Sequence, residues 1–181
     1  VSGFDLDYHS GILLDIACGA SKQPGYVGLD IQPLPGVDIV HDLNFHPWPL
    51  PDECVLRAIA SHIIEHIPPV QITESGTRFP FIEFMNEVWR VMKVGGQFAI
   101  AAPHGSSQGF LQDPTHCNAL NETTFAYFDP LETKANGFLY KFYRPKPWKI
   151  EYISWAPNAN VEVVLVKRSL EELDGQDNNN G

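Results

Sequence analysis

The sequence predicts an α/β domain built on an open, mostly parallel sheet of about seven strands, with a C-terminal antiparallel hairpin at one edge. Three observations carry this. Short apolar runs recur at Ile12–Ile16, Tyr26–Asp30, Val37–Val40, Val55–Ala60 and Gln97–Ala102, each bounded by turn residues. Between the fourth and fifth runs, Phe81, Ile82, Met85, Val88, Trp89 and Met92 fall at helical spacing. After the fifth, Phe138–Tyr143 and Val161–Val166 are rich in β-branched and aromatic residues, and Trp148–Trp155 extends the first of them past the Arg144–Pro147 break.

Each element has a local cause. Ile12–Ile16 is nearly all apolar, as in a strand covered on both faces. Only about ten residues separate Gly19 from Asp30, too few for a crossover helix, so Ser21–Gly25 holds at most a turn. Phe45–Pro51 is too proline-rich for a helix or a central strand. Pro68-Pro69 limits Ser61–Ile67 to a short helical stretch, and Gln71–Arg78 reads as a polar loop. The helix over Phe81–Lys93 is expected to stop at Val94-Gly95-Gly96. His104–Asn118 reads as a long polar loop, and Glu122–Phe128 as a short helix capped by Asn121 and ended by Pro130.

Composition bounds the function. The chain has 181 residues, 44% hydrophobic and 19% charged, which supports one domain over 1–174; Gly175–Gly181 has the composition of a disordered tail. A net charge of -10 argues against a broad nucleic-acid surface, because phosphate binding relies on Lys and Arg. No apolar run approaches the roughly 20 residues that span a bilayer, and the first residues lack a basic-then-apolar leader. Cys18, Cys54 and Cys117 are widely spaced and odd in number, so a reducing, cytoplasmic setting is expected.

The chemistry concentrates in Ile12–Ile31. A buried strand runs into the small residues Ala17-Cys18-Gly19-Ala20, which let a backbone approach a ligand closely. The next strand ends at Asp30, whose carboxylate can accept both hydrogen bonds of a ribose diol, as in the crevice at the carboxyl ends of parallel strands. The dinucleotide fingerprint G-x-G-x-x-G is absent.

Taken together, the blocks resemble the class I S-adenosylmethionine-dependent methyltransferases, in particular the type 11 group, over Gly11–Pro130. Leu14-Asp15-Ile16-Ala17-Cys18-Gly19 is similar to the family's first motif, and Gly28-Leu29-Asp30-Ile31 to its second. His41-Asp42-Leu43 occupies the adenine-contact position. Ser61–Ile67 is similar to the segment after the fourth strand, and Glu87–Gly96 to the run before the fifth. Two features depart from the family: the first motif has one glycine, and the first crossover helix is nearly missing.

The resemblance implies a Rossmann-like sheet and S-adenosyl-L-methionine as cofactor. Asp15, Ala17, Cys18 and Gly19 would lie at the methionine end, Asp30 at the ribose, Ile31, Asp42 and Leu43 around adenine, and Ser61 and His62 by the sulfonium. Asp15 reads equally as a ligand for turn amides, and Cys18 as a packing residue. Asp113-Pro114-Thr115-His116 also occurs in this group, which makes His116, with His104, a catalytic candidate on the acceptor side. The acceptor would be a small molecule or a surface-presented group. A regulatory protein that binds the cofactor without catalysis is the second reading.

His62-Ile63-Ile64-Glu65-His66 also spells H-x-x-E-H, the inverted zinc-peptidase pattern, in which both imidazoles on one helix face bind zinc and Glu65 acts as base. Pro68-Pro69 leaves too short a helix for it, and His104, His116 and Cys117 have no recognised metal spacing, so no metal is expected.

Overall fold

The computed structural model describes residues 6–131 and 143–172. The expected strand at Phe138–Tyr143, apart from Tyr143, and the expected tail lie outside them. In chain order the elements are β1 (Ile12–Ile16), β2 (Val27–Asp30), β3 (Ile39–Val40), β4 (Val55–Ser61), β5 (Gln71–Thr73), β6 (Gly76–Arg78), α1 (Pro80–Val91), β7 (Met92–Pro103), α2 (Gln108–Leu111), β8 (Trp148–Trp155) and β9 (Asn160–Lys167). Short 3₁₀ turns lie at Ile64–His66 and Thr124–Phe128.

Seven strands form one sheet in the order β3-β2-β1-β4-β7-β9-β8. The pairs from β3 through β7 are parallel, and β9 runs antiparallel to both β7 and β8. This is the open, mostly parallel Rossmann-like sheet with a C-terminal antiparallel hairpin that the sequence predicts. The strand order reverses at β1, which lies between β2 and β4, and such a switch point opens a crevice at the carboxyl ends of the strands.

The two faces of the sheet differ. In register, Leu14, Ala58, Phe98 and Leu165 point to one side and are fully buried. They meet α1, whose Phe81, Phe84, Met85, Val88 and Val91 are buried on its inner stripe. On the other side the row Leu13, Arg57, Gln97, Val166 and Lys149 is half-buried or exposed. Arg57 donates to the Gln97 amide oxygen at 2.9 Å, and the Gln97 amide nitrogen donates to Glu151 at 2.7 Å. Leu13 in β1 is thus only partly covered, because the crossover that would cover it contains no helix.

Three local expectations are corrected. The helix stops at Val91 rather than Lys93, because Met92 turns extended (φ -69, ψ 143) and buries its side chain at the start of β7. Gly95 (φ +77) and Gly96 then sit in an irregularity of β7, not at a helix cap: Val55 pairs with Met92, yet Arg57 pairs with Gln97. Gln71–Arg78 is not a loop but the β5–β6 hairpin, turned at Gly76 (φ +125), with the Thr73 hydroxyl donating to the Gly76 carbonyl at 2.9 Å. The long loop after β7 contains the single helical turn α2, where the Ser107 hydroxyl accepts the Phe110 amide.

The proline-rich stretch is held by side chains instead of a ladder. Trp48 is 2% exposed against Phe84. Its backbone N–H donates to Glu87 Oε1 at 2.6 Å, and Arg90 donates to the carbonyls of Trp48 and Leu50 and to Glu87. Burial alone would raise the Glu87 carboxyl; the bonds from Arg90 and Trp48 outweigh it and leave the group below the ordinary value of 4.5.

A depressed carboxyl stabilises the fold above its unfolded pKa and loses that contribution as pH falls through the folded one. Glu87→Gln is therefore expected to cost about 1.5–3 kcal/mol at pH 7, with a smaller deficit in acid, measured by urea unfolding at both pH values.

Candidate functional site

Two neighbouring parallel strands end in strained residues. Ala17 follows β1 at φ +55, and His62 follows β4 at φ +55. Neither is glycine, and such backbone is held only where the surroundings enforce it, often beside a ligand. Gly19 (φ +54) completes the first turn.

A cavity of about 260 Å³ opens at this end of the sheet. Asp30 and Ile31 from the tip of β2, Ala17 from the first turn, and Asp42 and Leu43 after β3 form one side. Ile63, Ile67, Pro80 and Phe84 supply apolar wall, and His46, His66 and Arg78 add polar rim. Apolar walls with a few fixed polar groups are the usual make-up of a small-molecule site.

Asp30 is 8% exposed. Its Oδ2 accepts the Gly19 amide at 2.8 Å and its Oδ1 accepts the Gln32 amide at 2.8 Å. An ionised carboxylate has about four acceptor positions, so each oxygen keeps a lone pair beyond these bonds. Asp42 is fastened through Oδ1 to the Asn44 amide and side chain, both at 2.9 Å.

Other expected residues stand elsewhere. The Asp15 carboxylate accepts the Gln23 amide at 2.7 Å, away from the cavity lining, and burial raises its pKa against that bond. Cys18 is buried with Sγ packed on Gly28: a Cβ on Gly28 would come within 2.7 Å of that sulfur. Burial, then Asp15 and Asp30, push the Cys18 thiol up, which suits a packing group. Ser61 is exposed and does not line the cavity.

The acceptor-side candidates separate. His104 is 8% exposed, with Nδ1 accepting the Ser106 amide at 3.2 Å and Nε2 facing Glu122 at 3.2 Å. Both nitrogens are engaged, so the residue fastens its loop. His116 lines a second cavity of about 240 Å³ with His62, Asp113, Gln112 and Asn160. Its Nδ1 donates to the Phe110 carbonyl at 2.9 Å, which leaves Nε2 open.

The H-x-x-E-H reading is corrected by the backbone. His62 lies before the turn in left-handed conformation, and Ile64–His66 is one 3₁₀ turn, so the two imidazoles do not share a helix face. The trio His104, His116 and Cys117 is likewise not gathered among the described residues. Glu65, His66 and His116 are.

Sequence reasoning missed Asn44, His46, Ile63, His66 and Arg78 of the first cavity. Arg78 comes from β6, and the alternation across Gln71–Thr73 and Gly76–Arg78 around Ser75-Gly76 is the pattern that could have revealed it.

No family model and no curated protein matches the sequence. Solved structures do match. A S-adenosylmethionine-dependent methyltransferase from Archaeoglobus fulgidus superposes with a TM-score of 0.57 at 17% identity, covering 86% of this chain and 85% of its own. A protein from Sulfolobus solfataricus provisionally assigned as a type 11 methyltransferase gives 0.51 at 14% identity, covering 89% and 86%. The [4+2]-cyclase SpnF gives 0.54 at 12% identity, covering 87% and 75%. The fold is that of S-adenosylmethionine-dependent methyltransferases, and the same fold serves a cyclase.

Asp15 is a group whose folded pKa is raised, so its ionised form works against folding above that pKa. Asp15→Asn keeps an acceptor for the Gln23 amide and is expected to leave stability at pH 7 equal to or above wild type, read by thermal unfolding.

Proposed function

We propose that this protein binds S-adenosylmethionine and transfers its methyl group to an acceptor. The observation that supports the reading is the Asp30 carboxylate lining an open, mostly apolar cavity at the sheet's switch point, with lone pairs to spare. The residues present fit the cofactor. Asp30 would accept hydrogen bonds from the ribose hydroxyls, Ile31 and Leu43 would flank the adenine, and Ala17 and Gly19 would leave room for the methionine portion. When bound, the cofactor supplies a methyl group already activated on its sulfonium.

What remains for the chain is alignment and exclusion of water. Holding the acceptor in line can supply on the order of 7–11 kcal/mol, so an acid–base pair is not obligatory. The second cavity, at the ends of β4 and β7, is our acceptor side, with His116 the residue that can receive a proton there and His62 beside it. The acceptor is a small molecule or a surface-presented group. The second reading, a regulatory protein that binds the cofactor without catalysis, is motivated by the first crossover, which contains no helix; the cyclase neighbour bears only on whether the fold is confined to methyl transfer.

Calorimetry with S-adenosylmethionine and S-adenosylhomocysteine is expected to give micromolar binding, weakened about tenfold or more in Asp30→Ala, equivalent to at least about 1.4 kcal/mol. Heat with neither ligand would sink the cofactor assignment. Binding without label transfer from methyl-labelled cofactor to an acceptor panel would favour the second reading.

A further inference from the structure

Glu65 is fully buried, and neither of its carboxylate oxygens has a hydrogen-bond partner among the described residues. A buried, unpaired carboxylate is strongly disfavoured unless something of positive charge completes it. His62 Nδ1 stands 3.3 Å from Oε1 but off the hydrogen-bond line, and its side chain is 54% exposed. His116 Nε2 faces the same oxygen at 3.9 Å.

The two buried-side imidazoles are oriented alike. His116 donates Nδ1–H to the Phe110 carbonyl at 2.9 Å. The Thr115 hydroxyl donates to Asp113 at 2.6 Å, so at 3.0 Å it accepts Nδ1–H from His66. In each ring an oxygen therefore holds the Nδ1 proton and leaves the other nitrogen as a lone pair. This is how proteins orient metal-ligating histidines. The rings meet edge to face with centroids 4.6 Å apart.

We propose that Glu65, His66 and His116 form a binding site for a divalent transition metal of the zinc type. One ligand atom from each lies within 4.8 Å of the other two. Tetrahedral ligands at 2.0–2.1 Å from zinc are about 3.4 Å apart, so closure takes rotations of about an ångström. Two histidines and a carboxylate with one open position match catalytic zinc sites. Asp113 Oδ2 lies 3.7 Å from His116 Nε2, at the edge of the group.

The arrangement joins distant segments. The Glu65 carbonyl accepts the amides of Cys117 and Asn118 at 2.8 and 3.0 Å, which seats the 113–118 loop on the 3₁₀ turn. The site would lie between the two cavities, since His66 lines one and His116 the other. Metal there would brace the loop and offer a Lewis acid beside the second cavity. The inference does not depend on methyl transfer; with metal bound, His116 Nε2 would be a ligand and not free to receive a proton from an acceptor, since Nδ1 is held by the Phe110 carbonyl.

The test uses the full chain stripped with a chelator and titrated with zinc chloride, read by calorimetry, metal analysis and thermal unfolding. Wild type is expected to bind one equivalent and to unfold at higher temperature when loaded. Glu65→Gln, isosteric and free of the buried charge, is expected to be at least as stable as wild type without zinc and to lose both effects. His116→Ala should weaken zinc by about 100-fold or more, and Thr115→Val, which removes the acceptor for His66, by about 10–100-fold. His41→Ala should change neither. Absence of zinc-dependent stabilisation in wild type, or Glu65→Gln binding zinc as wild type does, would overturn the site. The same samples titrated with S-adenosylmethionine report on the cofactor independently.

Discussion

The first turn of this protein depends on aspartate side chains doing what a crossover helix would otherwise do. Between β1 and β2 the chain passes through residues whose amides have no helical partners. Asp30 accepts from Gly19, Asp15 from Gln23, and Asp38 from Gly28, at 2.8, 2.7 and 2.8 Å. Lys22 then pairs with Asp38 at 2.6 Å. The first two bonds join turn amides to carboxylates of β2 and β1, and the third ties a β2 amide to the residue before β3, so the turn and the strand tips are positioned together. At Asp38 burial is outweighed by the bonds from Lys22 and the Gly28 amide, which hold the carboxyl below its ordinary value, whereas at Asp15 burial outweighs the Gln23 bond.

The missing crossover also makes the sheet one-sided. Most of the apolar burial lies between α1 and the row Leu14, Ala58, Phe98 and Leu165. The proline-rich segment closes that side because Arg90 and Glu87 satisfy its backbone, which has no strand partner. The opposite face carries the Arg57–Gln97–Glu151 bonds in place of a packed layer.

The strand ends gather two unlike environments. The cavity beside Asp30 is walled by apolar residues and offers acceptors, as an adenosyl group requires. The cavity beside His116 is polar. Glu65 lies at the junction, buried and without a hydrogen-bond partner among the described residues, with the imidazoles of His62 and His116 facing it.

The sheet was legible in the sequence because apolar runs and a helical stripe are local patterns: Ile12–Ile16, Val55–Ala60 and α1 follow from residue types at neighbouring positions. Asp30, Ala17, Ile31, Asp42 and Leu43 could also be placed around one crevice, since strand ends of a parallel sheet converge. Tertiary structure alone decided the rest. Asp15 and Cys18 turned to satisfy the Gln23 amide and to pack on Gly28, partners that the folded turn and the adjacent strand β2 supply. Arg78 reached the cavity through a hairpin, and His66 met His116 through hydrogen bonds that dock one loop on another. That docking joins chain segments about 50 residues apart, and no spacing within a motif encodes such a distance.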